Sequence, residues 1–264
     1  MGNNNKLGTI QVINKKGERK IIASGFTIIA SRPAMGKTAL ALTIALNEAL
    51  NGIPVALFSL EMSKKQLLRR ILSNLCDIPT ERFINNALSD VEIEEYMKRL
   101  ENLPLYIDDN PGISDSELCA KAHDLVHGHG IKAIIIDYMQ LMSTERKHDS
   151  RELQLAAIAH SLKELSRELE IPVIAMSSLK RTEKSLNGDF YPDLSDLRES
   201  GIDEQYADAV CFIYRPGYYD IDTENENSKE LKGYTEFIIA KCPDERTQTI
   251  EMIFRPEYVR FEWL

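Results

Sequence analysis

The chain has 264 residues, 43% apolar and 28% charged, the composition of an ordinary globular protein with a full core. Its net charge of −9, with no Lys/Arg-rich tail, excludes a protein that coats nucleic acid with its whole surface but leaves room for a local basic groove or loop. No apolar run reaches membrane-spanning length, and the opening MGNNNKLG lacks the charged and apolar regions of a signal peptide, so a cytoplasmic chain with no membrane partner is expected.

The first 30 residues read as β structure, with strands at 7–13 and 20–23 around a polar turn through Lys15, Lys16, Gly17 and Glu18. Residues 1–24 are expected to form a hairpin extension, and residues 25–264 the main domain. A buried strand follows at 27–30, then a tight loop from Ser31 to Thr38, then apolar residues at helical spacing until Asn51-Gly52. Strand, loop ending in Gly-Lys-Thr and helix form the context of a phosphate-binding P-loop. Loop amides and the exposed N–H groups of the new helix converge where the helix dipole favours anions. The expected nucleotide contacts are Ser31, Arg32, Pro33, Ala34, Met35, Gly36, Lys37, Thr38 and Ala39. Lys37 would neutralise the β- and γ-phosphates of ATP, and the Thr38 hydroxyl would ligate Mg²⁺. The usual pattern begins with Gly where this chain has Ser31, so an ordinary strand-to-helix turn is the alternative.

Residues 55–62, VALFSLEM, read as a second buried strand that ends in Glu61. Capping-box spacings at Ser63/Gln66 and Ser89/Glu92 open helices to about Cys76 and Leu103, with a short strand at 105–108. Ser114 and Glu117 head a helix closed by Gly128 and Gly130. In KAIIIDYMQLM, apolar residues lead into Asp137, which places its carboxylate at a strand's carboxyl end, where open α/β sheets bind ligands. A long amphipathic helix is expected at 150–170, a strand at 171–178 and a polar, mobile segment at 180–192. LSDLRESG precedes a strand at 209–214, an acidic loop spans 220–230, and three strands follow near 234–240, 247–254 and 258–263. The alternation predicts an α/β fold, with a mostly parallel sheet covered by helices on both faces and antiparallel strands added at one edge. Cys76, Cys119, Cys211 and Cys242 lack metal-ligand spacing and are expected as reduced thiols.

A P-loop needs a second carboxylate for Mg²⁺ and a group that positions the attacking water. Asp137 suits the first role, against a strand-terminal turn as the alternative. Glu61 suits the second as general base, against a charge that complements the helix after Ser63.

The runs ASRPAMGKTALALTIAL, VALFSLEMS, IIIDYMQLM, IPVIAMSSLKR and LSDLRESGIDEQYADAVCFIYR together resemble the C-terminal ATPase domain of DnaB-type replicative helicases, which has the RecA-like fold. The resemblance covers roughly residues 25–264. It implies that Lys37 and Thr38 bind nucleotide and Mg²⁺, that Glu61 is the catalytic glutamate and that Asp137 is the Walker B aspartate. It also implies that LRESG is part of a loop facing single-stranded DNA in the channel of a homo-hexamer, with Arg198, Glu199 and Gly201 as DNA contacts. A surface helix end with an Arg-Glu pair is the alternative for Arg198. The family's separate helical domain and linker helix have no counterpart in residues 1–24. The family's Gln at the end of IPVIAMSS is Ser178 here, and its Lys-x-Arg finger motif reads AKCPDERT. Lys241 is therefore the remaining catalytic cation of that motif, with Pro243 at the arginine position and Arg246 as a substitute. Tyr218 and Tyr219, after Arg215, are open to base packing or to ordinary aromatic packing. The function implied is an ATP-driven DNA helicase motor that moves on single-stranded DNA during replication. The alternative is a DnaB-like ATP-binding accessory protein with weak hydrolysis and no unwinding.

Overall fold

The computed structural model describes residues 9–13, 19–180, 190–218, 233–243 and 247–264. The turn at 15–18, the acidic loop at 220–230, Tyr219, Arg246 and most of the segment 180–192 lie outside the described residues. Strands β1 (Thr9–Ile13) and β2 (Arg19–Ser24) pair antiparallel as a two-stranded sheet, and Ile10 and Ala23 join the buried core. Next come β3 (Phe26–Ser31), α1 (Lys37–Leu50), β4 (Val55–Ser59), α2 (Lys64–Cys76), α3 (Thr80–Ile84) and α4 (Asp90–Glu101). They are followed by β5 (Leu105–Asp108), α5 (Asp115–His129), β6 (Ala133–Asp137), α6 (Arg151–Leu169) and β7 (Val173–Ser178). The chain ends with α7 (Leu194–Glu199), β8 (Ala209–Tyr214), β9 (Tyr234–Lys241), β10 (Gln248–Arg255) and β11 (Arg260–Trp263).

Nine described strands form one sheet in the order β11-β10-β9-β8-β3-β7-β6-β4-β5. From β8 to β5 the pairings are parallel, and from β8 to β11 they are antiparallel. This is the expected architecture. Successive strand residues point to opposite faces, so Ile29, Leu57, Ile135 and Ile174 join one apolar layer with α1 and α2. Ile28, Phe58, Ile134 and Val173 join the other with α5 and α6.

One expectation shifts. Strand β4 stops at Ser59 rather than running through residue 62: the Leu60 N–H makes the last ladder bond, to the Asp137 carbonyl at 2.8 Å, and the chain then turns, the Ser59 hydroxyl donating to the Met62 carbonyl at 3.1 Å. Residues 194–199 form α7, so Arg198 stands at a helix end, and the first turn is capped by Asp193 accepting from the Ser195 N–H at 2.8 Å.

Register decides where a site can form. Ser31 lies opposite Ser178 and Ser59 opposite Asp137, so β3, β7, β4 and β6 all end at one edge. The carboxyl-terminal strands brace that edge from below. Phe261, buried on β11, packs beneath the loop before α1, and its N–H donates to Thr43 Oγ1 at 3.1 Å. Phe261→Ala should lower stability by about 3–5 kcal/mol in chemical denaturation, the usual cost of emptying a buried aromatic position. A loss under about 1 kcal/mol would show that β11 does not support α1.

Candidate nucleotide-binding site

The loop between β3 and α1 is built by backbone that most side chains cannot adopt. Gly36, the residue before α1, has φ 101°, and a Cβ there would sit 3.0 Å from the Phe261 ring. Only glycine meets both demands. Ala34 also has positive φ, at 65°. The Lys37 ammonium turns back into the loop, donating to the Ser31 and Arg32 carbonyls at 3.4 Å each and to the Ser31 hydroxyl at 3.5 Å. Ser31, where a P-loop usually has glycine, thus takes part in holding the lysine.

Asp137 ends β6 with its carboxylate buried. Among the described residues, neither of its oxygens completes a hydrogen bond. Burial raises its pKa, Glu61 adds to the rise, and the Thr38 hydroxyl, Lys37 and Arg70 oppose it. Burial likewise lowers the Lys37 pKa, against the pull of Asp137 and Glu61. A cleft of about 560 Å³ opens here, lined by Pro33, Ala34, Gly36, Lys37, Thr38, Ala39, Glu61, Arg70, Tyr138, Ser178, Phe254 and Val259. A buried carboxylate offset only by the Thr38 hydroxyl and the Lys37 and Arg70 charges, beside a helix N-terminus, fits a hard divalent cation bound to a phosphate chain.

The structure brings Lys37, Thr38, Asp137 and Glu61 together, with Glu61 exposed at the cleft mouth, past the end of β4. Ser178 also lines the cleft, and Gln140 clamps that strand end, donating to Ser177 Oγ at 2.8 Å and accepting from the Ser178 N–H at 3.2 Å. Other candidates point elsewhere. Met35 is buried in the core, and the Arg32 guanidinium bonds Asp196 on α7 at 3.1 Å. Arg198 is 56% exposed and pairs with Glu204 at 3.3 Å; Glu199 is exposed beside it. Gly201 backs onto α6, where a Cβ would meet Glu152 Cγ at 3.3 Å. Lys241 lines a different cleft with Lys163, Asp208 and Pro243. Its ammonium donates to the Glu204 and Ala207 carbonyls at 2.7 Å each.

Sequence reading passed over Arg70, Tyr138, Gln140, Phe254 and Val259. Tyr138 and Gln140 had a signal, since they follow Asp137 directly. Arg70 lies on α2, just after Glu61. Phe254 and Val259 reach the cleft only through the folding back of β10 and β11. Tyr218 lies outside that lining, with the Arg215 guanidinium 5.9 Å from its ring and 4.4 Å from that of Phe254.

Residues 21–263 match the family described as DnaB-like helicase C-terminal domain. The chain is 39% identical over 271 residues to the replicative DNA helicase DnaC of Bacillus subtilis (strain 168), covering 95% of this chain and 58% of that protein. It is 39% identical over 268 residues to the replicative DNA helicase DnaB of Geobacillus stearothermophilus, covering 94% and 58%. The chain thus spans little more than half the length of these two relatives. A solved DnaB-like replicative helicase, studied with its primase interactions, superposes with TM-score 0.80 at 35% identity, over 90% of this chain and 57% of its own. A solved ATPase domain superposes with TM-score 0.82 at 35% identity, over 91% and 84%.

Asp137→Asn keeps the side chain's size and removes a buried charge that burial opposes. The ligand-free variant should therefore melt no lower than the unsubstituted protein at neutral pH, while losing the stabilisation given by Mg²⁺ with ATP. Thermal denaturation with and without the pair reads both. A lower melting temperature without ligand, or an intact response to Mg²⁺ with ATP, would remove Asp137 from the cation site.

Proposed function

The chain belongs to the DnaB-like helicase C-terminal domain family, and from that premise we propose that it is an ATP-hydrolysing DNA helicase motor that moves on single-stranded DNA during replication. One observation carries the reading: Lys37 and Thr38 line one cleft at the carboxyl edge of the sheet, and the buried Asp137 carboxylate lies against them, interacting with both. The names of its relatives, replicative DNA helicases, supply the biological setting.

The roles of the residues follow from their chemistry. The α1 N-terminus binds the phosphate chain through backbone N–H groups, and Lys37 exchanges its loop carbonyls for the terminal phosphates. Thr38 and Asp137 are the residues that hold Mg²⁺, which when bound supplies charge neutralisation at the phosphoryl oxygens. Glu61 orients the attacking water and accepts its proton, its exposed carboxylate being hydrated and ready for exchange. Phe254 and Val259 give the cleft an apolar wall suited to a nucleobase. Arg198 and Glu199 at the end of α7, with Gly201 just beyond it, form the DNA-facing segment in the channel of a cytosolic homo-hexamer. By the family's motif Lys241 is the cation offered to a neighbouring subunit's phosphates, and within the chain its ammonium braces the Glu204–Ala207 turn that carries Glu204, the partner of Arg198. A lysine ammonium lacks the bidentate geometry of a guanidinium, so turnover in the absence of DNA should be slow.

Glu61→Gln should bind ATP with unchanged affinity and hydrolyse it at least about tenfold more slowly, since positioned bases contribute about 10²–10⁴. Equal turnover by both proteins would reject the role. Arg198→Ala should weaken oligo-dT binding and reduce its salt slope by about one phosphate contact. An unchanged slope would take Arg198 off the DNA.

A further inference from the structure

Where β3 ends, the chain sends two groups in opposite directions. Lys37 and the α1 N-terminus face the cleft. The Arg32 side chain is absent from the cleft lining and turns behind the loop toward α7. There it forms an ion pair with Asp196 at 3.1 Å, its Nη2 on Asp196 Oδ1, with side-chain exposures of only 5% and 2%. The other arm of the same guanidinium, Nη1, donates to the Lys180 carbonyl at 2.9 Å. Asp196 is held in turn: its Oδ2 accepts from the Asp193 N–H at 3.0 Å.

These bonds close a ring. The Lys180 N–H donates to Ser200 Oγ at 2.9 Å, and the Ser200 hydroxyl donates to the Asp196 carbonyl at 2.7 Å. The Leu179 N–H returns to the Ser31 carbonyl at 2.9 Å. Every link joins the P-loop, the end of β7 or α7. The ring shares one acceptor with the site, the Ser31 carbonyl, on which the Lys37 ammonium also rests, and that ammonium rests as well on the backbone carbonyl of Arg32 itself. Phosphate that draws Lys37 off these carbonyls changes the backbone from which the Arg32 fork projects. A guanidinium held at both arms is rigid, so a shift at Arg32 is passed to Asp196. Arg198 lies two residues further along the same short helix.

We propose that Arg32 and Asp196 are positioning residues whose buried ion pair couples the phosphate-binding loop to α7, so that phosphate on Lys37 sets how α7 presents Arg198. The proposal rests on the nucleotide reading of the cleft. By linkage the coupling runs both ways, and DNA that engages α7 changes nucleotide affinity by the same factor. A pair that only holds the fold together would leave α7 indifferent to nucleotide.

Amide hydrogen exchange with a non-hydrolysable ATP analogue and Mg²⁺, in the absence of DNA, separates the two readings. Slower exchange at residues 36–39 reports nucleotide in the cleft. Slower exchange at residues 195–200, by at least about fivefold, reports the coupling. Asp196→Asn, which keeps the side chain's shape, should retain the first response and lose the second. Protection at the loop without protection at α7 would overturn the proposal and leave the nucleotide reading standing. An α7 response that survives in Asp196→Asn would overturn the assignment to this pair. Absence of protection at the loop itself would overturn both. Should the substituted chain fail to fold, the unsubstituted protein still decides, because its α7 amides either respond to nucleotide or contradict the coupling.

Discussion

The site depends on a charge that the fold does not itself satisfy. Asp137 is buried with neither carboxylate oxygen hydrogen-bonded among the described residues, and Lys37 is held by neutral carbonyls rather than by that carboxylate. Burial opposes the charged form of each group, raising one pKa and lowering the other. A cation beside Asp137 and anionic oxygens beside Lys37 relieve both costs together. Stability that these two groups cost the protein thus becomes affinity for a cation and phosphate.

What keeps that arrangement in place is the sheet. Four parallel strands end at the same edge, β3 level with β7 and β4 level with β6, and the chain leaves each of them there. Gly36 sits on the Phe261 ring with no room for a side chain, so the antiparallel strands set the floor of the loop. Behind the loop, Arg32 is tied to Asp196. Loss of one partner from a buried ion pair costs about 3–5 kcal/mol, so this link holds α7 firmly against the loop that binds phosphate. Lys241 performs a similar service on the far side of α7, fixing the turn that carries Glu204, the partner of Arg198.

Much of this was legible in the chain. Local signals gave the P-loop: an apolar strand, Gly-Lys-Thr, then 3.6-residue periodicity. Asp137 stood out because continuous apolar residues led into a single carboxylate. What local sequence could not show depends on distant contacts. VALFSLEM is apolar almost throughout, yet β4 stops at Ser59, because β6 ends opposite it at Asp137 and the chain turns there, with the Ser59 hydroxyl on the Met62 carbonyl. The cap that makes α7 a helix is present in the sequence as Asp193 and Asp196, in keeping with the helix end weighed as the alternative for Arg198. Lys241 keeps the position of a finger lysine, but its two acceptors lie 37 and 34 residues away in the chain. Arg32 reads as a nucleotide contact by position alone, and its partner is 164 residues distant. Nothing in either local stretch announces that pair.

The most direct test is the Mg²⁺ dependence of nucleotide affinity in the unsubstituted protein. A non-hydrolysable ATP analogue would be titrated calorimetrically, with Mg²⁺ and then with chelator. If Asp137 and Thr38 form the cation site that the buried charge requires, Mg²⁺ should tighten binding at least about tenfold, or about 1.4 kcal/mol. Equal affinity in the presence of chelator would contradict it, and would mean that the Asp137 carboxylate is buried for some purpose other than holding a metal.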